Sequence, residues 1–428
     1  MKFQKYLLNI FIFPVLFSCS STPLPNTEFL DIPEDLIGIV HAGRTNTREE
    51  YIFLDTLGAK WILRTFYWRA IEKEKGNFDF SVYDEYVDAA KREGKKIIAV
   101  LGYETPWLFP KEKQRRYISP ENMPLFLRYI EETVRHFKGR IDVWQIWNEP
   151  NLFFWKGPDK DFFELTIQAA QIIRKTDPDA YILGGVFWRT PEQFIKKMYE
   201  SGAMKDLDAL SFHPYAANPS GTMKLYDNLL KIFAEIGYSG PLWITETGYP
   251  TGGWYLSRVS LEKYPSYIVK TLAGTAARGA RTVFWYQLFD YRNNGELSRF
   301  FNSSEDFFGL AYPDYQRKDG AFAFGLCASY LPGSRFISDY AVRENIPKEI
   351  VSLCFLEGIS GTNTLILWND RSCCQKITLQ LSDPAFIHDI STNNKSPLQK
   401  ETVLKIGQNP VFITWQGKAI PRLTKEKR

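Results

Sequence analysis

Apolar, β-favouring runs recur along the chain and alternate with stretches whose apolar residues fall at helical spacing. The runs predict strands at Leu36–Ala42, Trp61–Tyr67, Lys96–Tyr103, Val143–Asn148, Tyr181–Phe187, Leu207–His213, Leu242–Thr245 and Thr282–Phe289. Between them, helices are predicted at Thr47–Leu57, Ser81–Glu93, Pro124–Phe137, Lys160–Thr176, Pro191–Ser201, Met223–Ile236 and Tyr264–Arg278. Gly58, Gly94, Gly139 and Gly279 each follow a helical pattern and read as stop signals. The strand interiors are apolar throughout, as strands buried on both faces require. Strands and helices alternating eight times over about 250 residues predict an α/β fold, a (β/α)₈ TIM barrel over residues 36–335. Asp314–Leu331 completes the ring as a last helix, broken by Pro332-Gly333.

The texture then changes. Glu349–Leu356, Thr364–Asn369, Lys376–Leu381, Ala385–Ile390 and Pro410–Trp415 are short strands separated by turn residues, with no long helix. They predict a small β-sandwich over residues 336–418, followed by a basic, frayed tail at 419–428. At the other end, Lys2 and Lys5 precede the apolar run Tyr6–Phe17, a secretory signal layout over residues 1–18. Leu16-Phe17-Ser18-Cys19 resembles a bacterial lipobox, in which the cysteine is lipidated and becomes the new N-terminus. An ordinary cleaved signal or a retained anchor, with Cys19 incidental, is the alternative. Residues 19–35, with Pro23 and Pro25, then read as a tether. The expectation is an exported protein, lipid-anchored to a bacterial membrane and facing the periplasm or the cell surface.

Composition narrows the picture only a little. A formal net charge of +4 over 428 residues is too small to argue for nucleic acid. Four histidines and no CxxC spacing give no sign of a metal site. Export permits disulfides among Cys327, Cys354, Cys373 and Cys374, with three possible connectivities. Twelve tryptophans suit a sugar-binding cleft, but a large core consumes tryptophan too and is the simpler reading.

The chemistry gathers where the predicted strands end. A barrel of this kind carries its active site at the C-terminal face of its strands. There the sequence places His41, Arg64, Tyr103-Glu104 with Trp107 beyond, Asn148-Glu149, His213 and Tyr215, Glu246, and Trp285 with Gln287. Glu149 precedes Pro150, and Glu246 closes Leu-Trp-Ile-Thr-Glu-Thr, so each should stand at a strand tip. The fourth and seventh tips face each other across the mouth. Two carboxyls placed so can flank one glycosidic bond, one protonating the leaving oxygen and one attacking the anomeric carbon. Arg64 and Tyr215 are candidates to hold Glu246 ionised, and the aromatics around Glu149 suit an acid that keeps its proton. Glu104 reads as a solvated loop residue; Trp107 and Trp188 are candidate subsite aromatics.

These motifs together resemble clan A of the retaining glycoside hydrolases, whose glutamates lie on strands four and seven. Trp147-Asn148-Glu149-Pro150 resembles the clan's acid/base motif, Trp243–Gly248 its nucleophile strand, Ser211–Tyr215 its sixth strand and Phe284-Trp285-Tyr286 its eighth. Gly76–Phe80 before Asp84, and the barrel-plus-sandwich layout, are similar to the family 39-like β-xylosidases and iduronidases. The resemblance implies that Glu149 is the acid/base and Glu246 the nucleophile. It further implies that Asn148 bonds the sugar 2-hydroxyl, that Arg64 and Tyr215 orient Glu246 with His213 nearby, and that Trp285 floors the sugar subsite; the strand-tip inventory adds Tyr103 and Trp107 as candidate substrate-binding residues. The implied partner is a carbohydrate, with no cofactor. A non-catalytic carbohydrate-binding lipoprotein and a transglycosylase are the rival readings. Sugar, linkage and oligomeric state stay open.

Overall fold

The computed structural model describes residues 29–40, 47–108, 116–253, 258–292, 303–338, 340, 346–371, 374–392 and 394–425. Cys19, the signal stretch, His41 and Cys373 lie outside the described residues. A first short strand, β1 (Phe29–Asp31), does not belong to the barrel. Eight parallel strands follow and close on themselves: β2 (Ile37–Val40), β3 (Trp61–Tyr67), β4 (Lys96–Gly102), β5 (Val143–Ile146), β6 (Ile182–Trp188), β7 (Ala209–His213), β8 (Leu242–Thr247) and β9 (Thr282–Trp285). The predicted (β/α)₈ barrel is therefore the observed fold.

Alternation along each strand sorts the side chains into two layers. Trp61, Leu63, Ile98, Val100, Val143, Leu183, Ala209, Trp243 and Phe284 point inward and fill the barrel. Trp61 meets Trp243 edge-on at 5.3 Å. Ile62, Phe66, Ile97, Trp144, Ile182, Leu210, Ile244, Val283 and Trp285 point outward and pack under the helices. Gly38 belongs to the first barrel strand because a Cβ there would lie 2.6 Å from the Phe284 ring. The helix stops are as read: Gly58, Gly94, Gly139 and Gly279 have φ of +72°, +66°, +73° and +85°, the left-handed conformation that costs glycine least.

Beyond the closing helix Asp319–Tyr330, the chain builds two antiparallel sheets. The strands are β10 (Arg335–Ile337), β11 (Ile350–Leu356), β12 (Asn363–Asn369), β13 (Gln375–Gln380), β14 (Ala385–His388), β15 (Lys395–Leu398), β16 (Glu401–Ile406), β17 (Val411–Trp415) and β18 (Arg422–Lys425). The larger sheet runs β1-β10-β11-β12-β17-β14-β15 and the smaller β16-β13-β18. Leu365, Leu367, Ile377, Leu379, Leu404, Ile406, Ile413 and Trp415 fill the space between them. The opposite face of the larger sheet, with Phe336, Phe355, Ile366, Trp368 and Phe412, joins the same core as the barrel's helices.

Two boundaries need correction. Phe29–Asp31, assigned to the tether, pair with β10, and Ile32 is buried. Arg422–Lys425, assigned to the frayed tail, pair with β13, and Leu423 is buried between the sheets. Both segments are short edge strands whose pairing partner is distant in sequence, so local pattern does not reveal them. Among the described cysteines, Cys327, Cys354 and Cys374 are free thiols. Burial pushes the first two well above the ordinary thiol range. No helix among the described residues is long and apolar enough to cross a membrane.

Candidate active site

Glu149 and Glu246 meet at the C-terminal mouth of the barrel. One oxygen of each and a ring nitrogen of His213 all lie within 4.8 Å of one another. Neither carboxyl arrives there by regular strand geometry. Beyond β5 the backbone turns left-handed twice, at Trp147 (φ 62°) and Glu149 (φ 44°), before Pro150 ends pairing. Such conformations cost on the order of 1–3 kcal/mol each for residues with side chains. In β8 the inward residues are Trp243 and Thr245, so simple alternation would send Glu246 outward. The register against β9 shifts between Ile244 and Thr247, and that irregularity turns Glu246 into the mouth.

His213 is fully buried at the tip of β7. Its Nδ1 lies 2.7 Å from Glu149 Oε1 and 3.7 Å from Glu246 Oε2. Its Nε2 lies 3.0 Å from Thr245 Oγ1, which pairs with Ser211 Oγ at 2.6 Å. Burial opposes charge on the imidazole, but the two carboxylates outweigh it and raise its pKa. When protonated, both ring nitrogens donate. Both ring nitrogens are thus engaged in hydrogen bonds, one with Glu149 and one with Thr245.

Tyr215 donates to Glu246 Oε2 at 3.0 Å. Burial first, then the charge on Glu246, holds the Tyr215 phenol well above its usual range, so it remains a donor. Glu246 itself is pushed up to about 7. Burial is the largest cause and the Glu149 charge adds to it; His213 and the Tyr215 hydrogen bond pull the other way. The sequence predicts a Glu246 held ionised; burial instead raises its pKa toward neutrality.

The surrounding residues divide. Tyr103 lies in the field of both carboxylates and stands edge-on to Trp147 at 5.0 Å. Asn148 accepts from Gln145 Nε2 at 3.5 Å and hydrogen-bonds the Tyr103 side. Arg64 does not orient Glu246. It shares the outward parity of Ile62 and Phe66, and its guanidinium lies over the Tyr86 ring at 4.7 Å in the helix layer. Trp285 is also outward and fully buried, donating to the Tyr264 hydroxyl at 3.0 Å, so it does not floor a subsite. Trp107, half-buried, packs edge-on to Trp68 at 5.4 Å and donates to the Glu72 carbonyl at 2.8 Å. Glu104 is buried, not solvated, and accepts from the Arg116 backbone at 2.9 Å.

The sequence reading missed Tyr286 and Glu305. Tyr286 has the inward parity that Trp285 lacks, and after burial the charge on Glu246 acts on it most strongly, raising its pKa. Glu305, on the short helix Ser304–Phe307, hydrogen-bonds Tyr286. The residue as a whole is exposed, yet desolvation of its carboxyl and the charge on Glu149 raise its pKa. The signal for Tyr286 lay in the alternation around Phe284; Glu305 had none.

Residues 45–159 match the family model described as glycosyl hydrolase family 10. A β-1,4-xylanase from Dictyoglomus thermophilum is 29% identical over 188 residues, 40% of this chain and 51% of that protein. An endo-1,4-β-xylanase A from Thermotoga neapolitana is 30% identical over 173 residues, 37% of this chain and 15% of that protein. The chain thus spans about half the first relative's length and far less of the second's. Among solved structures, a family 39 glycoside hydrolase from Bacteroides cellulosilyticus WH2 superposes with a TM-score of 0.76 at 20% identity, over 90% of this chain and 81% of that one. A monomeric β-xylosidase from Caulobacter crescentus CB15 gives 0.63 at 14% identity, over 91% and 98%. The structural likenesses show the fold. The family 10 match and the xylanase relatives agree with the resemblance to clan A.

Proposed function

We propose that the chain is a retaining glycoside hydrolase acting on β-linked, xylan-type sugars, exported and lipid-anchored through Cys19. The observation that carries the reading is the paired carboxyls, with oxygens within 4.8 Å of each other and a shared imidazole between them. Inverting enzymes separate their carboxyls by roughly 6.5–9.5 Å to admit a water; the close pair fits direct attack on the sugar. Glu246 is the nucleophile, oriented by the Tyr215 hydroxyl. Glu149 donates its proton to the leaving oxygen and then takes one from the attacking water. His213 hydrogen-bonds Glu149, so that when Glu149 gives up its proton and Glu246 becomes the glycosyl ester, the imidazole still supports the bare Glu149 carboxylate. The xylan-type preference is suggested by the xylanase relatives and by the β-xylosidase of like fold.

A panel of 4-nitrophenyl β-glycosides tests the activity. Wild type should turn over the β-xyloside, and Glu246→Gln should lower kcat by at least about 10³-fold. Near-normal activity in that variant removes Glu246 from the nucleophile role. Fractionation tests the anchor: Cys19→Ser should move the protein from membranes to the soluble exported fraction, and unchanged membrane association would refute lipidation.

A further inference from the structure

Few large apolar side chains are exposed among the described residues, and one of them, Phe153, stands on the loop that follows Glu149, with 53% of its surface open. A lone exposed phenylalanine needs no explanation. This one is neither isolated nor loosely held. The Arg116 guanidinium lies 4.9 Å from the Phe153 ring centroid and 5.1 Å from that of Phe154. Arg116 Nη1 also donates to the Phe153 carbonyl at 3.1 Å. Arg116 is fixed in turn. Its backbone N–H donates to the buried Glu104 carboxylate at 2.9 Å, and its carbonyl accepts from the Lys156 N–H at 2.9 Å. Two loops, after the third and fourth barrel strands, are thus laced together under an aromatic surface.

That surface runs back to the carboxyl pair. Phe153 lies 4.5 Å from Phe154, and Phe154 stacks on Tyr103 at 5.8 Å. Tyr103 feels the charges of both Glu149 and Glu246. Two ring steps therefore separate the exposed ring from the edge of the central sugar site, the reach of one or two sugar units. A pyranose presents axial C–H groups on one face and hydroxyls around its rim. An aromatic ring packs against the first, and a planar guanidinium donates to the second. Holding the ring in place beforehand lowers the entropic cost of binding.

We propose that Phe153, clamped by Arg116, is the platform of an outer subsite that stacks a second sugar unit of an oligosaccharide substrate. The inference rests on the glycosidase reading above. It makes the substrate a chain, with the affinity for length residing at this platform.

The test compares a substrate that reaches the platform with one that cannot. Matched pairs of a β-glycosyl fluoride and a β-1,4-linked trisaccharide are assayed in the xylo, gluco, manno and galacto series. The fluoride fills only the central site, because its leaving group is a single atom. In the series that wild type turns over fastest, Phe153→Ala should leave kcat/KM for the fluoride within about twofold. It should lower kcat/KM for the trisaccharide about tenfold, chiefly through KM, and Phe153→Trp should restore it. Equal loss on both substrates would mark Phe153 as structural and overturn the proposal; so would an unchanged trisaccharide. No turnover of any pair by wild type would instead overturn the glycosidase reading, and this inference with it.

Discussion

At the residue scale, the site is a problem of neighbouring charges. Glu149, His213 and Glu246 stand within one small volume, so the charge on each acts on the others. Glu246 is raised to about 7 by burial and by the Glu149 charge, while His213 lowers it. The signs give a pH prediction. On a 2,4-dinitrophenyl glycoside, which needs little acid assistance, kcat/KM should rise with pH through a limb near neutrality as Glu246 ionises. Glu149→Gln removes a negative neighbour and should move that limb to lower pH; His213→Gln removes a positive one and should move it higher. Full pH profiles of the three proteins check this, and limbs that coincide would contradict it. Stability carries a second sign. The ordinary carboxyl value of 4.5 applies to the unfolded chain, and the folded value near 7 means that the native state binds the extra proton between them. Stability therefore falls as pH rises through that window and stays lower above it. Glu246→Gln removes that cost. Its Tm should exceed that of wild type at pH 8, by no more than about 3 kcal/mol in stability, and the gap should close below about pH 4.

The residue scale also marks where sequence reading stops. Glu149, Glu246, His213 and Tyr215 were legible because each stands at the end of a strand within a distinctive motif. Arg64 and Trp285 were misplaced for one shared reason. In a strand buried on both faces, apolar residues continue through both parities, so the pattern does not say which face looks inward. One residue of register separates Trp285 under the helices from Tyr286 at the mouth.

At the scale of elements, strand tips and the loops that brace them shape the site. The left-handed turns at Trp147 and Glu149 and the irregularity in β8 were invisible in the sequence, because neither involves glycine or a marked change of pattern. The loops after β8 and β9 are joined by a buried ion pair. Lys318 Nζ donates to Asp290 Oδ1 at 2.7 Å and to Thr251 Oγ1 at 2.9 Å, and both charged side chains are fully buried. Asp290 also accepts from the Gly309 N–H at 2.7 Å. Removing one partner of such a pair strands the other charge. Lys318→Met should cost about 3–5 kcal/mol, and adding Asp290→Leu should recover part of the loss. Denaturant titration of the single and double variants measures both; a double variant weaker than the sum of the singles would contradict the pairing.

At the scale of the whole molecule, the C-terminal sheets brace the barrel. The larger sheet sets Phe336, Phe355, Ile366, Trp368 and Phe412 against the helix layer, with Tyr330 5.9 Å from Phe412 across the junction. Burying that many large side chains is worth on the order of 10 kcal/mol, similar to the whole net stability of a typical domain. A chain ending at Pro332 should therefore aggregate or melt well below the full-length protein. Barrel and sandwich were both legible as architecture. The joint was not, since the strand at Phe29–Asp31 pairs with residues some three hundred positions away.

All three scales bear on the one arrangement proposed above, in which Glu246 attacks sugar while Glu149 manages the proton. Trapping the covalent intermediate tests it most directly. Wild type is incubated with 2,4-dinitrophenyl 2-deoxy-2-fluoro-β-xyloside, whose fluorine slows release of the sugar, then digested and mapped by mass spectrometry. One fluorosugar on the peptide holding Glu246, absent from Glu246→Gln, is the predicted result. Label on another residue, or turnover of the natural substrate with inverted anomeric configuration, would contradict the account.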